Sequence, residues 1–424
     1  MRIRDWNKSL KVRLFGEAVI NITFWMFFPF LAIYFADAFG KEKAGFLLIL
    51  SQLFSVFANL IGGYCADRFG RKKMMVYAAF GQAASFLLFA FANSPWFQSP
   101  VLGFIAFTIG GMFGALYWPA SEAMIADVVE EKDRSSVFAV FYTSINIAVV
   151  IGPILGGIFF FSYRFELMVF AAAACLFLTF ILIKWVEESL PAKKAMLSDG
   201  DKKWYSFLLE QLKDYRIIVH DKLFMLFILA GILSAQTFMQ LDLLIPVYLK
   251  ETISLQTIFS FADWNFQITG EKAFGLLISE NGLLVALFTV AISKWVTPFR
   301  ERNVFAISSI LYAASMWMFG LTGWFWGMVL AMAVFTLGEL MIVGLQQSFI
   351  SKLAPEEMRG QYFAAASLRY TLGRTVAPIS IPMTAWFGFI WTFTILAVLA
   401  LLSAVVYYYM FYLYDRQKSS NATL

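Results

Sequence analysis

Cysteine, histidine and charged side chains are all scarce in this chain of 424 residues. The two cysteines, Cys65 and Cys175, fall at a helix end and within a helix in the prediction below, which excludes a disulfide framework. The single histidine, His220, leaves too few ligands for metal chemistry. Because the sequence has no nucleotide-binding loop and no nucleophile–base set, we expect neither catalysis nor a metal or other cofactor.

Apolar residues, in contrast, make up 60% of the chain, and its mean hydropathy is +0.72. A soluble domain cannot bury that much apolar surface, so the solvent must be lipid. A spanning helix needs about 20 apolar residues, and twelve such runs occur, near 12–36, 44–66, 74–93, 101–126, 137–161, 165–186, 223–249, 275–294, 304–322, 325–350, 362–387 and 389–414. The runs are too long and too uniform for barrel strands. They predict an all-α membrane protein with twelve spanning helices.

The lysines and arginines are distributed unevenly around these runs. If both termini face the cytoplasm, 26 of the 33 lie in cytoplasmic segments and five lie in outer loops. We therefore expect a multi-pass protein of a bacterial plasma membrane with both termini inside. The net charge of +5 restates this bias and does not indicate nucleic-acid binding. The first apolar run is too long for a cleavable signal peptide.

One long polar stretch, residues 187–221, separates an N-terminal set of six predicted helices (1–186) from a C-terminal set (222–424). Within it, residues 202–219 form either an interfacial amphipathic helix or a solvated tether. Two features of the first half recur in the second half at the same separation. Arg134 and Arg359 are 225 residues apart, and so are Pro153 and Pro378. This repetition predicts a duplicated six-helix unit.

The densest group of charges follows the second predicted helix, in the run Gly63-Tyr-Cys-Ala-Asp67-Arg68-Phe-Gly70-Arg71-Lys72-Lys73. Between two apolar runs, this composition predicts a short loop joining two spanning helices. Asp67 and Arg71 can bind the helix ends and charges that they meet there. The alternative is a cluster that serves membrane topology only.

Ionisable residues also fall inside the predicted helices, where they are costly and therefore functional by default: Glu17, Glu122, Asp242, Glu339, Arg369 and Arg374. A carboxyl in a low dielectric is protonated more easily, so Asp242 and Glu339 are candidate proton carriers that also attract cationic substrates. Permanent neutralisation by Arg369 or Arg374 is the alternative for Glu339. Glu17 and Glu122 are either vestibule acids or hydrated carboxylates near the headgroups.

The fifth predicted helix contains the run Gly152-Pro153-Ile-Leu-Gly156-Gly157. Proline kinks a helix and glycines permit close packing, so the residues alone predict a kinked, tightly packed helix. Aromatic residues in the first and fourth predicted helices suit a pocket for flat lipophilic cations and suit lipid contact equally well.

The charged run matches the loop between helices 2 and 3 of major facilitator transporters. The Gly-Pro run resembles the motif of their drug/proton antiporters, with Ala148 in place of the first glycine. This resemblance covers nearly the whole chain and implies two six-helix bundles that work by alternating access. It also implies that Asp127 pairs with Arg71, that Asp67 faces the start of the eleventh helix, and that transport is export.

The stretches around Asp242 and Glu339 resemble those of multidrug/proton antiporters of this family, in which the matching acids handle protons and substrate. Phe141 stands where those transporters have an acid in the fifth helix. Either the proton path is shorter in this chain or another acid, such as Glu122, substitutes.

These observations predict a monomer that exports lipophilic, cationic compounds in exchange for protons, driven by the proton gradient. Two alternatives stay open. Arg369 and Arg374 favour export of a specific endogenous metabolite or lipid if they line the cavity, because they attract anions. A non-transporting membrane sensor is the other alternative.

Overall fold

The structure is a computed structural model, and it describes residues 3–189, 220–261, 264–353 and 359–421. The helices of the first half are α1 (Lys8–Phe27), α2 (Leu31–Phe39), α3 (Lys41–Phe69), α4 (Arg71–Phe91), α5 (Pro100–Val128), α6 (Glu131–Phe159) and α7 (Arg164–Trp185). Those of the second half are α8 (Lys222–Phe238), α9 (Leu244–Thr252), α10 (Gly270–Val296), α11 (Glu301–Leu321), α12 (Phe325–Leu353), α13 (Arg359–Val376) and α14 (Ser380–Asn421). All twelve predicted apolar runs fall largely in these helices.

Within the described residues, eleven helical segments are long and apolar enough to cross a membrane. The last of them, Ala365–Gln417, contains two of the predicted runs. Gly388 separates these two runs with a φ of 78°, a conformation that favours glycine. The prediction of an all-α membrane fold is therefore confirmed.

The first helix of each half is interrupted in the same way. The 3-10 turn Phe28–Phe30 separates α1 from α2, and the 3-10 turn Met239–Leu241 lies between α8 and α9. Both α2 and α9 are nine residues long. Asp242 follows the second turn with φ −104° and ψ 0°, so it lies where the helix is broken.

A β-hairpin lies between α9 and α10, which the prediction did not include. Strand β1 (Gln256–Phe261) pairs antiparallel with β2 (Trp264–Ile268), with Gln256 opposite Ile268. The first strand is rich in β-branched and aromatic residues, which favour a pleated surface over a helix.

Most of the stretch between the predicted apolar runs 101–126 and 137–161 is helical, because α5 ends at Val128 and α6 begins at Glu131. The connection is therefore shorter than the sequence suggests. The stretch 202–219 lies outside the described residues, so the choice between an amphipathic helix and a tether stays a prediction.

The chain divides into two compact units, which are described separately. Unit 1 comprises Met1–Phe39 and Leu50–Leu209, and unit 2 comprises Gly40–Ile49 and Glu210–Leu424. The start of α3 belongs to unit 2 because Gly45 packs against Pro378 and Pro382. The domain boundaries predicted at 187 and 222 stay a prediction.

The two units have different interiors. In unit 1 a core between α3, α4, α5 and α7 combines alanine side chains with methionine, leucine, valine and tyrosine, and its alanines are Ala66, Ala78, Ala79 and Ala120. In unit 2 a core between α8, α11, α12, α13 and α14 is richer in aromatic rings, namely Phe224, Phe227, Phe305, Phe349, Tyr362, Tyr407 and Phe411. Small side chains let helices approach closely, whereas aromatic rings bury a large apolar area.

Candidate functional site

Glu17 is buried in unit 1 and paired with Arg13, one turn earlier in α1. Arg13 Nη2 and Nε donate to Glu17 Oε1 at 3.0 and 3.1 Å, and the Tyr117 hydroxyl donates to the same oxygen at 2.7 Å. Arg13 Nη2 also donates to Ser121 Oγ at 2.5 Å. Arg13 is 0% exposed and Glu17 is 6% exposed. The acid is thus compensated by a full positive charge and two hydroxyl groups that tie α1 to α5.

This geometry corrects both interpretations of Glu17, which is neither a vestibule acid nor a hydrated carboxylate near the headgroups. The missed partner is Arg13, and its signal was the spacing of four residues that brings two side chains together on a helix. Phe141 belongs to the same cluster. Its ring stacks on Trp6 with centroids 5.9 Å apart, and the Arg13 guanidinium lies 5.4 Å from its centroid.

Glu122, on the same helix as Ser121, is exposed and forms no ion pair or hydrogen bond within the described residues. Both interpretations of this acid stay predictions.

The charged run places Arg71 at the centre of a second network in unit 1. Arg71 is 2% exposed, and its Nη2 lies 2.7 Å from Asp67 Oδ1. Its Nη1 donates to the Ala66 carbonyl oxygen at 2.9 Å, and its Nε lies 3.1 Å from Asp127 Oδ2. The pair between Arg71 and Asp127 that the resemblance implies is therefore present. The approach of Asp67 to the start of the eleventh helix stays a prediction.

Two further cations of the run bind within unit 1. Arg68 Nη1 donates to the Tyr64 hydroxyl at 2.6 Å, and Lys72 Nζ donates to the Ile183 carbonyl oxygen at 3.0 Å. Gly70 begins the turn into α4 with a φ of 101°, which favours glycine.

Glu188 completes this network, and the sequence analysis missed it as a site residue. Its Oε1 accepts the backbone N–H groups of Arg71 and Lys72 at 2.8 and 3.3 Å. A carboxylate at a helix N-terminus interacts favourably with the helix dipole, so Glu188 caps α4. The signal was the acid pair that directly follows the sixth apolar run.

The glycine that permits close packing near the run is Gly62 and not Gly63. A Cβ atom at Gly62 would come within 3.2 Å of the Leu116 Cα atom on α5, whereas a Cβ atom at Gly63 would have open space within 4 Å. Close approach of α5 at this end of α3 therefore depends on Gly62 and not on Gly63.

The glycines of the Gly-Pro run bring α6 against α1. A Cβ atom at Gly152 would lie 2.9 Å from the Trp25 carbonyl carbon, and one at Gly156 would overlap the Met26 carbonyl oxygen. Pro153 lies inside α6, beside these contacts. The close packing expected of this run is thus present at Gly152 and Gly156. The kink at Pro153, the direction of transport that the run implies and any role of Gly157 stay predictions.

In unit 2, Asp242 lies at the break between α8 and α9. Its Oδ1 atom is buried and has no hydrogen bond within the described residues. Asp242 forms no ion pair there, although the charge of Arg374 acts on it. A buried carboxylate oxygen without a partner is costly, which makes this position a candidate functional site.

Side-chain hydrogen bonds surround the break between α8 and α9. Gln236 Nε2 donates to the Gly373 carbonyl oxygen at 3.0 Å, and Gln240 Nε2 donates to the Gln236 carbonyl oxygen at 2.7 Å. The Ser380 hydroxyl donates to Gln240 Oε1 at 2.6 Å. These bonds connect the end of α8 and the 3-10 turn after it to α13 and α14, so Asp242 directly follows a hydrogen-bonded segment.

Glu339, on α12, is half-buried and is bound by neutral groups. Asn281 Nδ2 donates to Glu339 Oε2 at 3.0 Å and to Thr336 Oγ1 at 2.9 Å. Within the described residues neither Arg369 nor Arg374 forms an ion pair with Glu339. The alternative of permanent neutralisation by these arginines is therefore not what the structure shows.

The two arginines of α13 have different surroundings. Arg369 is 3% exposed, its guanidinium lies 4.3 Å from the Phe227 ring centroid, and its Nε donates to the Ala366 carbonyl oxygen at 2.9 Å. Arg374 is exposed. Of these two arginines, Arg374 is therefore the one with an exposed side chain.

Glu280 is a third acid in unit 2 that the sequence analysis missed. It is half-buried on α10, next to Asn281, and its Oε2 atom has no hydrogen bond within the described residues. Its signal was a lone acid in the middle of the eighth apolar run. Asp242, Glu280 and Glu339 are thus three carboxylates of unit 2 without an ion pair in the described part of the chain.

The sequence profile of the Major Facilitator Superfamily matches residues 14–266 and, a second time, residues 257–423. The chain belongs to the major facilitator superfamily. It is a multi-pass membrane transporter, as the apolar runs and the resemblance to this family implied.

This major facilitator protein is 62% identical over 423 residues to a Na(+), Li(+), K(+)/H(+) antiporter of Planococcus maritimus, which covers 99% of this chain and 100% of the relative. It is 24% identical over 376 residues to the multidrug resistance protein MdtH of Yersinia pestis, which covers 85% of this chain and 82% of MdtH. Both sequence relatives are transporters. The more similar of the two, from Planococcus maritimus, is named as an antiporter of metal cations and protons.

Among solved structures, this major facilitator protein is similar to a POT family transporter in complex with 5-aminolevulinic acid, with a TM-score of 0.74 and 16% identity over 96% of each chain. At this identity the likeness concerns the fold alone.

Proposed function

We propose that this transporter exchanges monovalent metal cations for protons across the plasma membrane. The proposal is supported by the relative from Planococcus maritimus, whose similarity extends over nearly the full length of both chains. It replaces the lipophilic compounds of the sequence-based prediction with Na⁺, Li⁺ or K⁺ as the first candidate substrates.

The observation that carries the proposal is the absence of ion pairs at Asp242, Glu280 and Glu339 within the described residues. An ionised carboxylate in a membrane needs a compensating charge, and a protonated one does not. A metal cation and a proton therefore compete for the same oxygen atoms. That competition couples the movement of one ion to the return of the other.

The position of Asp242 at a helix break supports such an exchange. Transporters commonly bind ions where a spanning helix is discontinuous, because the break provides polar groups near the middle of the membrane. The 3-10 turn Met239–Leu241 provides such a break directly before Asp242.

The proposal includes the remaining expectations from the sequence. Both termini face the cytoplasm, the monomer is the working unit, and the proton gradient drives transport without a cofactor. Arg71 and Asp127 control access from the cytoplasmic side.

Everted membrane vesicles from cells that lack their own cation/proton antiporters test the proposal. After respiration acidifies the vesicles, addition of NaCl, LiCl or KCl should restore acridine orange fluorescence only where the protein is present. Asp242→Asn and Glu339→Gln should abolish the recovery, because an amide cannot bind and release a proton at working pH. Asp415→Asn, at an exposed position of α14, is the matched control and should recover fully. Failure of all three salts in the wild type would reject the proposal.

Efflux of lipophilic cations is the second candidate function. It is favoured by the MdtH relative and by the Gly-Pro run of α6. The same vesicles, loaded with a bisbenzimide dye, distinguish the two. Gradient-driven dye movement without any response to metal salts would make efflux the function, and a response to metal salts alone would remove it.

A further inference from the structure

Asn281 forms two specific side-chain hydrogen bonds to a neighbouring helix, which simple packing between helices does not require. It is 6% exposed, and its side-chain nitrogen donates to two side chains of α12, Thr336 and Glu339. The Thr336 hydroxyl donates its own hydrogen to the Met332 carbonyl oxygen at 2.8 Å. The threonine oxygen can therefore only accept from Asn281, which fixes the orientation of the amide.

Within the described residues, Glu339 forms no ion pair with the groups around it. From α10 it faces Asn281, with Glu280 as the adjacent residue, and from α11 it faces the Tyr312 side chain. On α13, the guanidinium of Arg369 lies against Phe227, and Arg374 acts on Asp242. Among the described residues, the neutral amide of Asn281 is therefore the group that holds the Glu339 carboxylate.

We propose that Asn281, supported by Thr336, is a positioning residue that presents the Glu339 carboxylate to the transported cation. This inference rests on the proposed cation/proton exchange and assigns a residue to it. A neutral amide fixes the direction of the carboxylate and leaves its negative charge uncompensated. The carboxylate is thereby oriented and still free to take a cation or a proton.

Two hydroxyl bridges between α11 and α12 serve as controls for a purely structural role. Ser308 Oγ donates to the Gly338 carbonyl oxygen at 2.6 Å, and Ser315 Oγ donates to the Ala331 carbonyl oxygen at 2.8 Å. Both serines are buried. Ser315→Ala is the better control, because Ala331 lies two turns of helix before Glu339.

The test compares Asn281→Ala with Ser315→Ala in proteoliposomes that contain the full chain. The measurements are the apparent KM for Na⁺ at several pH values, the maximal rate, and the thermal stability of the purified protein. Asn281→Ala should raise the apparent KM by about tenfold or more, because a hydrogen bond to a charged group is lost. It should also change the way in which protons compete with Na⁺. Ser315→Ala should leave the apparent KM and the proton competition unchanged.

Thr336→Val keeps the shape of the site and removes the hydroxyl that orients Asn281. It should raise the apparent KM in the same direction by a smaller factor, and it keeps the inference testable if Asn281→Ala fails to fold. In a Glu339→Gln background, Asn281→Ala should cause no further loss of ²²Na⁺ binding.

An apparent KM and proton competition in Asn281→Ala and Thr336→Val equal to those of Ser315→Ala would overturn the inference and leave the proposed exchange intact. A wild type that exchanges none of the three cations would instead overturn the proposed function and the inference with it.

Discussion

Glu17 in unit 1 and Glu339 in unit 2 are both acids within spanning helices, but their carboxylates are held in opposite ways. Glu17 is bound by the guanidinium of Arg13 and by the Tyr117 hydroxyl, so its charge is compensated inside the protein. Glu339 is bound by the neutral amide of Asn281. The comparison teaches that burial alone does not identify an ion-carrying acid. The kind of partner decides whether the charge is available.

The energetics support this distinction. Removal of one partner from a buried ion pair costs about 3–5 kcal/mol, because the remaining charge is left uncompensated. Glu17 cannot exchange Arg13 for a small cation without meeting that cost. In the proposed exchange, Glu339 would keep its amide hydrogen bond while a cation bound its other oxygen, so cation binding would have no such cost there.

The largest expected effect separates the two acids by function. Glu339→Gln should reduce cation-driven proton release to the level of vesicles without the protein, while the purified variant keeps its thermal stability. Glu17→Gln should do the reverse, with exchange per folded molecule close to wild type and a lower melting temperature. Fluorescence recovery in vesicles and thermal unfolding in detergent measure the two quantities. Loss of exchange in Glu17→Gln with full exchange in Glu339→Gln would reverse the comparison.

The second prediction concerns the stability of the pair in unit 1. Arg13→Ala should destabilise the protein by about 3–5 kcal/mol, because it leaves Glu17 buried and charged. The double variant Arg13→Met, Glu17→Leu should recover most of that loss, because no uncompensated charge remains. Reversible unfolding in mixed micelles measures both changes. A double variant no more stable than Arg13→Ala would show that Tyr117 and Ser121, and not the charges, dominate the cluster.

The fold could be predicted from the sequence because it depends on long apolar runs. The loop network, which consists of Arg71, Asp67 and Asp127, could be predicted because its charges belong to a recognisable motif. Twelve runs and the spacing of Asp67 and Arg71 required no knowledge of tertiary contacts. The partners of the buried acids were not accessible in the same way. Tyr117 reaches Glu17 across 100 positions of sequence, and Asn281 reaches Glu339 across 58. Such pairs are set by helix packing, which the sequence pattern does not encode directly.

Glu188 and the β-hairpin were missed for a related reason. An acid in a polar stretch resembles ordinary linker, and only the start of α4 beside it turns Glu188 into a cap. The strand β1 is short, and its residue pattern was outweighed by the apolar runs on both sides. Local propensity thus gave weaker signals than hydrophobicity at these positions.

The third prediction tests whether the loop network in unit 1 depends on guanidinium geometry. Arg71→Lys should destabilise the protein by about 1.5–3 kcal/mol, because one ammonium group cannot reach Asp67, Asp127 and the Ala66 carbonyl oxygen together. Thermal unfolding of the purified variant measures the loss. Lys73→Arg, at an exposed position of the same run, should not change stability. Equal stability of Arg71→Lys and wild type would mean that the charge alone holds this network.

The smallest expected effect is that of Gly63→Ala, and it tests whether unit 1 is only a support for the acids of unit 2. Gly63 lies within α3, and a Cβ atom there meets nothing within 4 Å, so Gly63→Ala should stabilise the protein by up to about 1 kcal/mol through helix propensity. Gly62→Ala is the matched control and should destabilise it, because the added Cβ atom meets the Leu116 Cα atom at 3.2 Å. If unit 1 is a static support, Gly63→Ala also leaves the exchange rate at the wild-type value. A variant that is more stable but slower in exchange would show that α3 needs this glycine in another conformation. In that case α3 of unit 1 would change its conformation during transport and would not be a static support.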